Sequence, residues 1–118
     1  MSRDIFARHA DGSRVLSVAD IIRRRAAATP DLIAMIEPGR TADAGLSPRE
    51  ATTFADLDRR SNQVAQALIS QGVRPGDRVA FIGANSPAFL EVLYGATKAG
   101  AVATAVNNRL ALPEIAAI

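Results

Sequence analysis

The sequence predicts an α/β fold built on a parallel βαβ unit, and three observations carry that prediction. Two short apolar runs, residues 78–82 and 101–106, are bounded by turn residues and read as strands. Between them, Phe89, Leu90, Leu93, Ala96 and Thr97 recur at helical spacing. A strand, a helix and a strand at this separation give two parallel strands joined by a right-handed crossover. Both runs alternate little between polar and apolar residues, the pattern of strands covered on both faces.

Residues 1–16 read as a loosely tied arm with a turn signal at Asp11-Gly12-Ser13. The first helix starts at Ser17. Ser17 and Asp20 have capping-box spacing, although an aspartate is short for that task, and Leu16 and Ile21 are placed for a hydrophobic staple. Val18, Ile21, Ile22 and Ala26 make its apolar face. Thr29-Pro30 ends it, because a residue before proline is pushed out of the α region. Leu32–Ile36 is a short buried strand, Glu37–Glu50 a polar surface insertion, and Ala51–Thr53 a return strand that completes a short hairpin.

Thr53 caps the next helix, with Asp56 three residues on. Leu57, Val64, Ala65, Leu68 and Ile69 form its apolar face, and Arg59, Arg60 and Gln63 its wet one. Gly72 suits the left-handed position after a helix, with Val73 supplying the apolar contact that accompanies it. Pro75-Gly76 fits a type II turn. Ser86-Pro87 opens the helix between the two strands and Gly100 closes it. Pro113-Glu114 opens one more, with Ile115 and Ile118 on its apolar side. It has only about one and a half turns before Ile118 and is unstable alone. A two-stranded parallel sheet with few helices leaves apolar faces bare. The reading is therefore an incomplete unit, a segment of a longer chain.

Composition bounds the function. With 118 residues the chain is one domain at most, and 48% apolar residues argue against disorder. Aromatic residues are only 4%, tryptophan is absent and alanine is abundant, so the core is thin. The net charge is +2, yet the pI is about 9.9. One His, one Tyr, one Lys and no Cys leave almost nothing to titrate between pH 7 and about 10. The high pI reports missing buffering groups and not a basic surface, so nucleic-acid binding is not expected. Lys98 is the sole lysine among 14 basic residues, which with the alanine content hints at a GC-rich bacterial genome. The absence of cysteine excludes disulfides and fits a reducing cytoplasm. Met1–Ala10 has no apolar core of a signal peptide, and no run approaches a membrane span.

Few motifs carry chemistry. Gly95 to Gly100 has the two-glycine spacing of a Walker loop but lacks the Lys and Ser/Thr after the second glycine, and it precedes a strand instead of following one. Gly100 reads as a C-cap and Lys98 as a last-turn cation favoured by the helix dipole. Gly83-Ala84-Asn85-Ser86-Pro87 sits after a strand and before a helix, where an anion can bind, but shows no dinucleotide fingerprint. His9 reads as solvated, Arg23-Arg24-Arg25 as a solvated helix edge, Asp77 as a turn residue and Tyr94 as a packing residue. Asp56 reads as a cap acid that does not share a helix face with Asp58. Asn107-Asn108-Arg109 stays open as a ligand cluster against a polar turn. It leaves the carboxyl end of a parallel strand, where open α/β sheets place their ligands.

The run from Thr53 to Ala65, on through Gly72 to Ala80, resembles the N-terminal region of acyl-CoA synthetases. Asn85-Ser86-Pro87-Ala88-Phe89-Leu90-Glu91 is similar too, as are Lys98-Ala99-Gly100-Ala101-Val102 and Asn107-Asn108-Arg109-Leu110 with Pro113-Glu114. The likeness covers residues 17–118 in unbroken order and places the chain near fatty-acyl-CoA ligases, within the adenylate-forming superfamily that includes luciferases and peptide-synthetase adenylation domains. It implies that 17–118 are the first part of a large AMP-binding domain. It also implies a two-step ligase that makes an acyl-adenylate from a carboxylic acid and ATP with Mg²⁺, then a thioester with coenzyme A.

The family's Ser/Thr/Gly-rich phosphate loop, its later nucleotide contacts and the catalytic lysine of its small C-terminal domain have no counterpart here. The expectation is therefore a scaffold with no catalytic, cofactor-binding or metal-binding residue of its own, inactive alone and poor at binding ATP, Mg²⁺ or coenzyme A. Its partners would be the remainder of the large domain, the small domain and, in the full-length protein, a carboxylic acid substrate. Two other readings stay beside it: a free-standing regulatory or interaction module derived from that family, and a small Rossmann-like nucleotide-binding protein.

Overall fold

The computed structural model describes residues 10–12, 17–37 and 51–118. His9, Leu16 with its staple, and residues 38–50 of the insertion lie outside them. The order is α1 (Val18–Ala28), β1 (Ile33–Ile36), β2 (Ala51–Thr53), α2 (Phe54–Ser70), β3 (Arg78–Ile82), α3 (Pro87–Lys98), β4 (Val102–Val106) and α4 (Leu112–Ala116). This is the α/β fold expected, with a hairpin and a βαβ unit. β1 pairs with β2 antiparallel, Met35 opposite Thr52, with an irregularity between Ile33 and Met35. β3 pairs with β4 parallel from Arg78–Val102 to Ile82–Val106.

The helix ends follow from local chemistry. The Asp20 carboxylate reaches back after all, accepting from the Ser17 backbone N–H at 2.9 Å and its hydroxyl at 3.1 Å. The Asp56 N–H donates to Thr53 Oγ1 at 3.1 Å. At the end of α2, Gly72 takes φ +92°, and the Val73 N–H reaches the Leu68 carbonyl at 3.1 Å while Gly72 N–H reaches that of Ile69 at 3.0 Å. α3 ends the same way at Gly100, with the Ala101 N–H on the Ala96 carbonyl. Pro75-Gly76 makes its turn, closed by the Asp77 N–H on the Arg74 carbonyl.

The core is a helical layer. α2 and α3 lie against each other through Leu57, Ser61, Ala65, Gly95 and Ala96, all buried. Leu57 is 2% exposed, and burying a leucine contributes about 2 kcal/mol. The pair is close because its residues are small: a Cβ on Gly95 would stand 2.5 Å from Val64 Cγ1. α1 packs through Ala19 and Ile22: of the face expected from periodicity Ile22 is buried and Ala26 half-buried, while Val18 and Ile21 are exposed. Apolar residues occupy more than one stripe of this helix, and the spacing alone did not select which one meets α2.

The β3–β4 sheet rests on α3 by one face. Phe81 of β3 meets Phe89 of α3 edge-to-face, ring centroids 5.4 Å apart. Arg78, Ala80 and Ile82 point the other way and are exposed, as is Val102. Among the described residues that second face is uncovered.

Candidate functional site

The parallel register brings the carboxyl ends of β3 and β4 side by side. The chain leaves β3 through Gly83–Ser86 into α3, and leaves β4 through Asn107–Leu110 towards α4. The two loops enclose an open cleft of about 670 Å³, lined by Phe81, Gly83, Asn85, Phe89, Asn108 and Arg109 among others. The aromatic pair provides an apolar wall. Gly83 lets the loop run close over it, since a Cβ there would stand 2.9 Å from the Phe81 ring. Asn107 Oδ1 accepts from the Arg109 N–H at 2.9 Å, and the Leu110 N–H donates to the Asn107 carbonyl, which folds this turn on itself.

The two stretches singled out separately in the sequence thus meet in one cleft. Asn85, Asn108 and Arg109 are exposed there, and their side chains make no hydrogen bond or ion pair among the described residues. Arg109 supplies a permanent cation and the amides supply donors and acceptors. The arrangement can hold an anion beside an apolar or aromatic group. No carboxylate, histidine or cysteine lines it, and no group of three such residues that could hold a metal occurs among the described residues. Its donor set does not suit Mg²⁺.

The other candidates fall into structural roles. The stretch Gly95 to Gly100 is the end of α3 and its cap, not a phosphate loop. Lys98 is the last-turn cation expected of α3, but it is buried against α2. Its side chain is 2% exposed, and Nζ donates to Asp58 Oδ1 at 2.5 Å, to the Asp58 carbonyl at 3.1 Å and to Asn62 Oδ1 at 2.8 Å. Burial pushes its pKa below the ordinary 10.5, against the pull of Asp58. Asp58 is therefore a helix–helix contact, and the sequence signal for it was Asp58 and Asn62 standing one turn apart on α2.

Asp56 pairs with Arg59 at 3.2 Å, and that hydrogen bond holds its carboxyl below the usual range. Arg23 stands 3.7 Å from Asp20, and the Arg25 guanidinium lies 5.9 Å from the Phe54 ring centroid. Arg24 is exposed and Tyr94 half-buried. The Arg74 N–H donates to Asp77 Oδ2 at 2.8 Å, so Asp77 is the turn residue expected. An open groove between α1 and α2, about 560 Å³, is lined by Arg23, Asp58, Arg59 and Asn62 together with Ala26 and Ala55.

Comparisons with known proteins agree on this fold. The chain is 51% identical over 65 residues to a feruloyl-CoA synthase of Amycolatopsis, a match covering 55% of this chain and 13% of that protein. It is 39% identical over 98 residues to a long-chain-fatty-acid–CoA ligase of Mycobacterium tuberculosis, covering 83% of this chain and 18% of the ligase. Among solved structures, the inhibitor-bound N-terminal domain of FACL13 from Mycobacterium tuberculosis superimposes with a TM-score of 0.74 at 37% identity, over 86% of this chain and 23% of that one. The chain thus spans less than a fifth of the length of these two curated relatives. Residues 22–118 match the family described as AMP-binding enzyme, a match that takes in both cleft loops and the whole α2–α3 pair, and the chain belongs to that family.

Proposed function

We propose that this chain is scaffold of an ATP-dependent acid–CoA ligase and supplies one wall of its ligand site but no catalytic group. In that reaction a carboxylate oxygen attacks the α-phosphorus of ATP, and pyrophosphate leaves. The coenzyme A sulfur then attacks the acyl carbonyl, the thioester forms, and AMP leaves. The acid is an aryl-propenoic or fatty acid, in keeping with the names of the relatives. The observation that carries the reading is the meeting of Asn85, Asn108 and Arg109 at the carboxyl edge of a parallel sheet in a chain of this family. Arg109 would hold a phosphate of ATP or of coenzyme A. One open wall binds such an anion weakly, so the 118 residues by themselves are expected to be inactive. The rest of the large domain and a small C-terminal domain complete the site. No described helix is long and apolar enough to cross a membrane, and the reading places the protein in the cytoplasm, with its ATP and coenzyme A.

The test is acid-dependent exchange of labelled pyrophosphate into ATP, followed by thioester formation, using the gene's complete product beside the 118-residue chain. Exchange by the complete product with ferulate or a fatty acid, and none by the chain, is the expected result. Absence of exchange with every acid overturns the ligase reading. In the active protein, Arg109→Ala should raise the KM for ATP or for coenzyme A by about ten-fold or more. Unchanged values for both would remove Arg109 from the site.

A further inference from the structure

We propose that Lys98 is a masked acylation site. Its amine is shut away from acyl donors while α3 lies on α2, and once α3 has lifted, acylation keeps the two helices from closing again. Lys98 carries the sole lysine amine of the chain, and cysteine is absent. Every other basic side chain apart from His9 is an arginine, whose guanidinium stays protonated and does not accept acyl groups at neutral pH. In the closed pair all three Nζ protons are spent, on the Asp58 carboxylate, the Asp58 carbonyl and Asn62 Oδ1. The side chain is 2% exposed, so neither solvent base nor an acyl donor reaches it. Arg23 of α1 adds a second positive charge nearby.

Reaction requires three things in order: separation of α3 from α2, loss of a proton from Nζ to water, and attack of the nitrogen lone pair on the acyl carbonyl. The C–N bond forms, the C–O or C–S bond of the acyl phosphate or thioester breaks, and phosphate or thiol leaves. The product amide is neutral and has one N–H in place of three. It leaves Asp58 without its counter-ion and adds an acyl group where the helices leave no space. That acyl donors surround this protein rests on the ligase reading; the behaviour of Lys98 does not.

The probe is the N-hydroxysuccinimide ester of acetic acid at pH 8, with acetylation mapped by peptide mass spectrometry. Arg24→Lys, on the exposed side of α1, provides a reference amine within the same molecule. In buffer, Lys98 should acetylate at least about ten-fold more slowly than the reference amine, and in strong urea at the same rate. Protein acetylated at Lys98 in urea and then returned to buffer should melt several degrees below untreated protein. Protein acetylated in buffer, where Lys98 stays unmodified, should melt as untreated protein does. Equal rates in buffer overturn the proposal, whether the pair stands open or the helices have not formed. Full recovery of the melting temperature after acetylation at Lys98 overturns the second half of it. The reagent needs no ligase chemistry, so loss of the ligase reading would leave this result standing.

Discussion

Lys98 Nζ lies 2.5 Å from Asp58 Oδ1, joining the last turn of α3 to the first half of α2 across 40 residues of sequence. The two partners are not equivalent. The Lys98 side chain is 2% exposed, whereas that of Asp58 is 24% exposed. Removing Asp58 strands a buried ammonium, while removing Lys98 leaves a carboxylate that water can still reach. Asp58→Ala should therefore cost about 2–4 kcal/mol, and Lys98→Met, of similar length and apolar, distinctly less. Urea denaturation of both variants and of the double variant checks this. Equal losses would mean that the pair does not work as described.

The pH dependence follows from the same burial. Lys98 holds its proton less tightly in the folded chain than in the unfolded one. Between the two pKa values the unfolded chain binds more protons, so this group makes stability rise with pH up to the ordinary lysine value. Its cost is present in full at pH 7. Asp56 is the opposite end of the scale: the Arg59 hydrogen bond lowers its pKa, so its contribution exists above the ordinary 3.8 and disappears as pH falls through the folded value. The melting temperature of wild type minus that of Lys98→Met should increase from pH 8 to pH 10. A decrease over that interval would contradict the burial of the ammonium.

Much of the fold was legible because the signals that fix it are local. Ser17 with Asp20, Thr53 with Asp56, and the glycines after α2 and α3 each act within four residues of the atoms they satisfy. The cleft was legible in halves. Asn107–Arg109 and the Gly83 loop each stood out, and only the strand register shows that they face one space. Lys98 was legible as a last-turn cation but its partners were not, because the helix dipole considers one helix and those partners belong to another. The buried side of α1 was legible in part for the same reason: Ile22 is buried as periodicity indicates, but Val18 and Ile21 are not, because packing chooses between apolar stripes.

Two glycine variants separate crowding from backbone strain. In a solvated helix Gly→Ala gains about 1 kcal/mol. At Gly95 the new Cβ would stand 2.5 Å from Val64 Cγ1 and 2.9 Å from the Ser61 carbonyl oxygen. Gly95→Ala should instead lose about 1–3 kcal/mol by overpacking the helix pair. Gly72 has φ +92° and open space around it, so Gly72→Ala should lose about 1–2 kcal/mol through the backbone alone. Adding Val64→Ala should recover part of the first loss and none of the second. Thermal denaturation of the five proteins decides; a stabilising Gly95→Ala would mean that α2 and α3 are further apart than this.

The aromatic wall of the cleft gives a last test, because it belongs to the fold and to the site at once. Phe89 meets Phe81 edge-to-face, and Phe81 in turn lies beneath Gly83. Phe89→Ala removes that contact and opens a void between α3 and β3. For half-buried rings the expected loss is about 2–3 kcal/mol, with up to about 1 kcal/mol of it from the ring pair itself. Phe89→Leu keeps most of the volume and should lose about half as much. If the wall also seats part of a ligand, Phe89→Leu in the active protein should raise the KM of that ligand on top of this smaller loss of stability. Arg109→Ala should do so with little loss of stability, since its side chain makes no hydrogen bond or ion pair among the described residues. An Arg109→Ala protein that melts several degrees lower would show that the guanidinium supports the turn and is not poised for an anion.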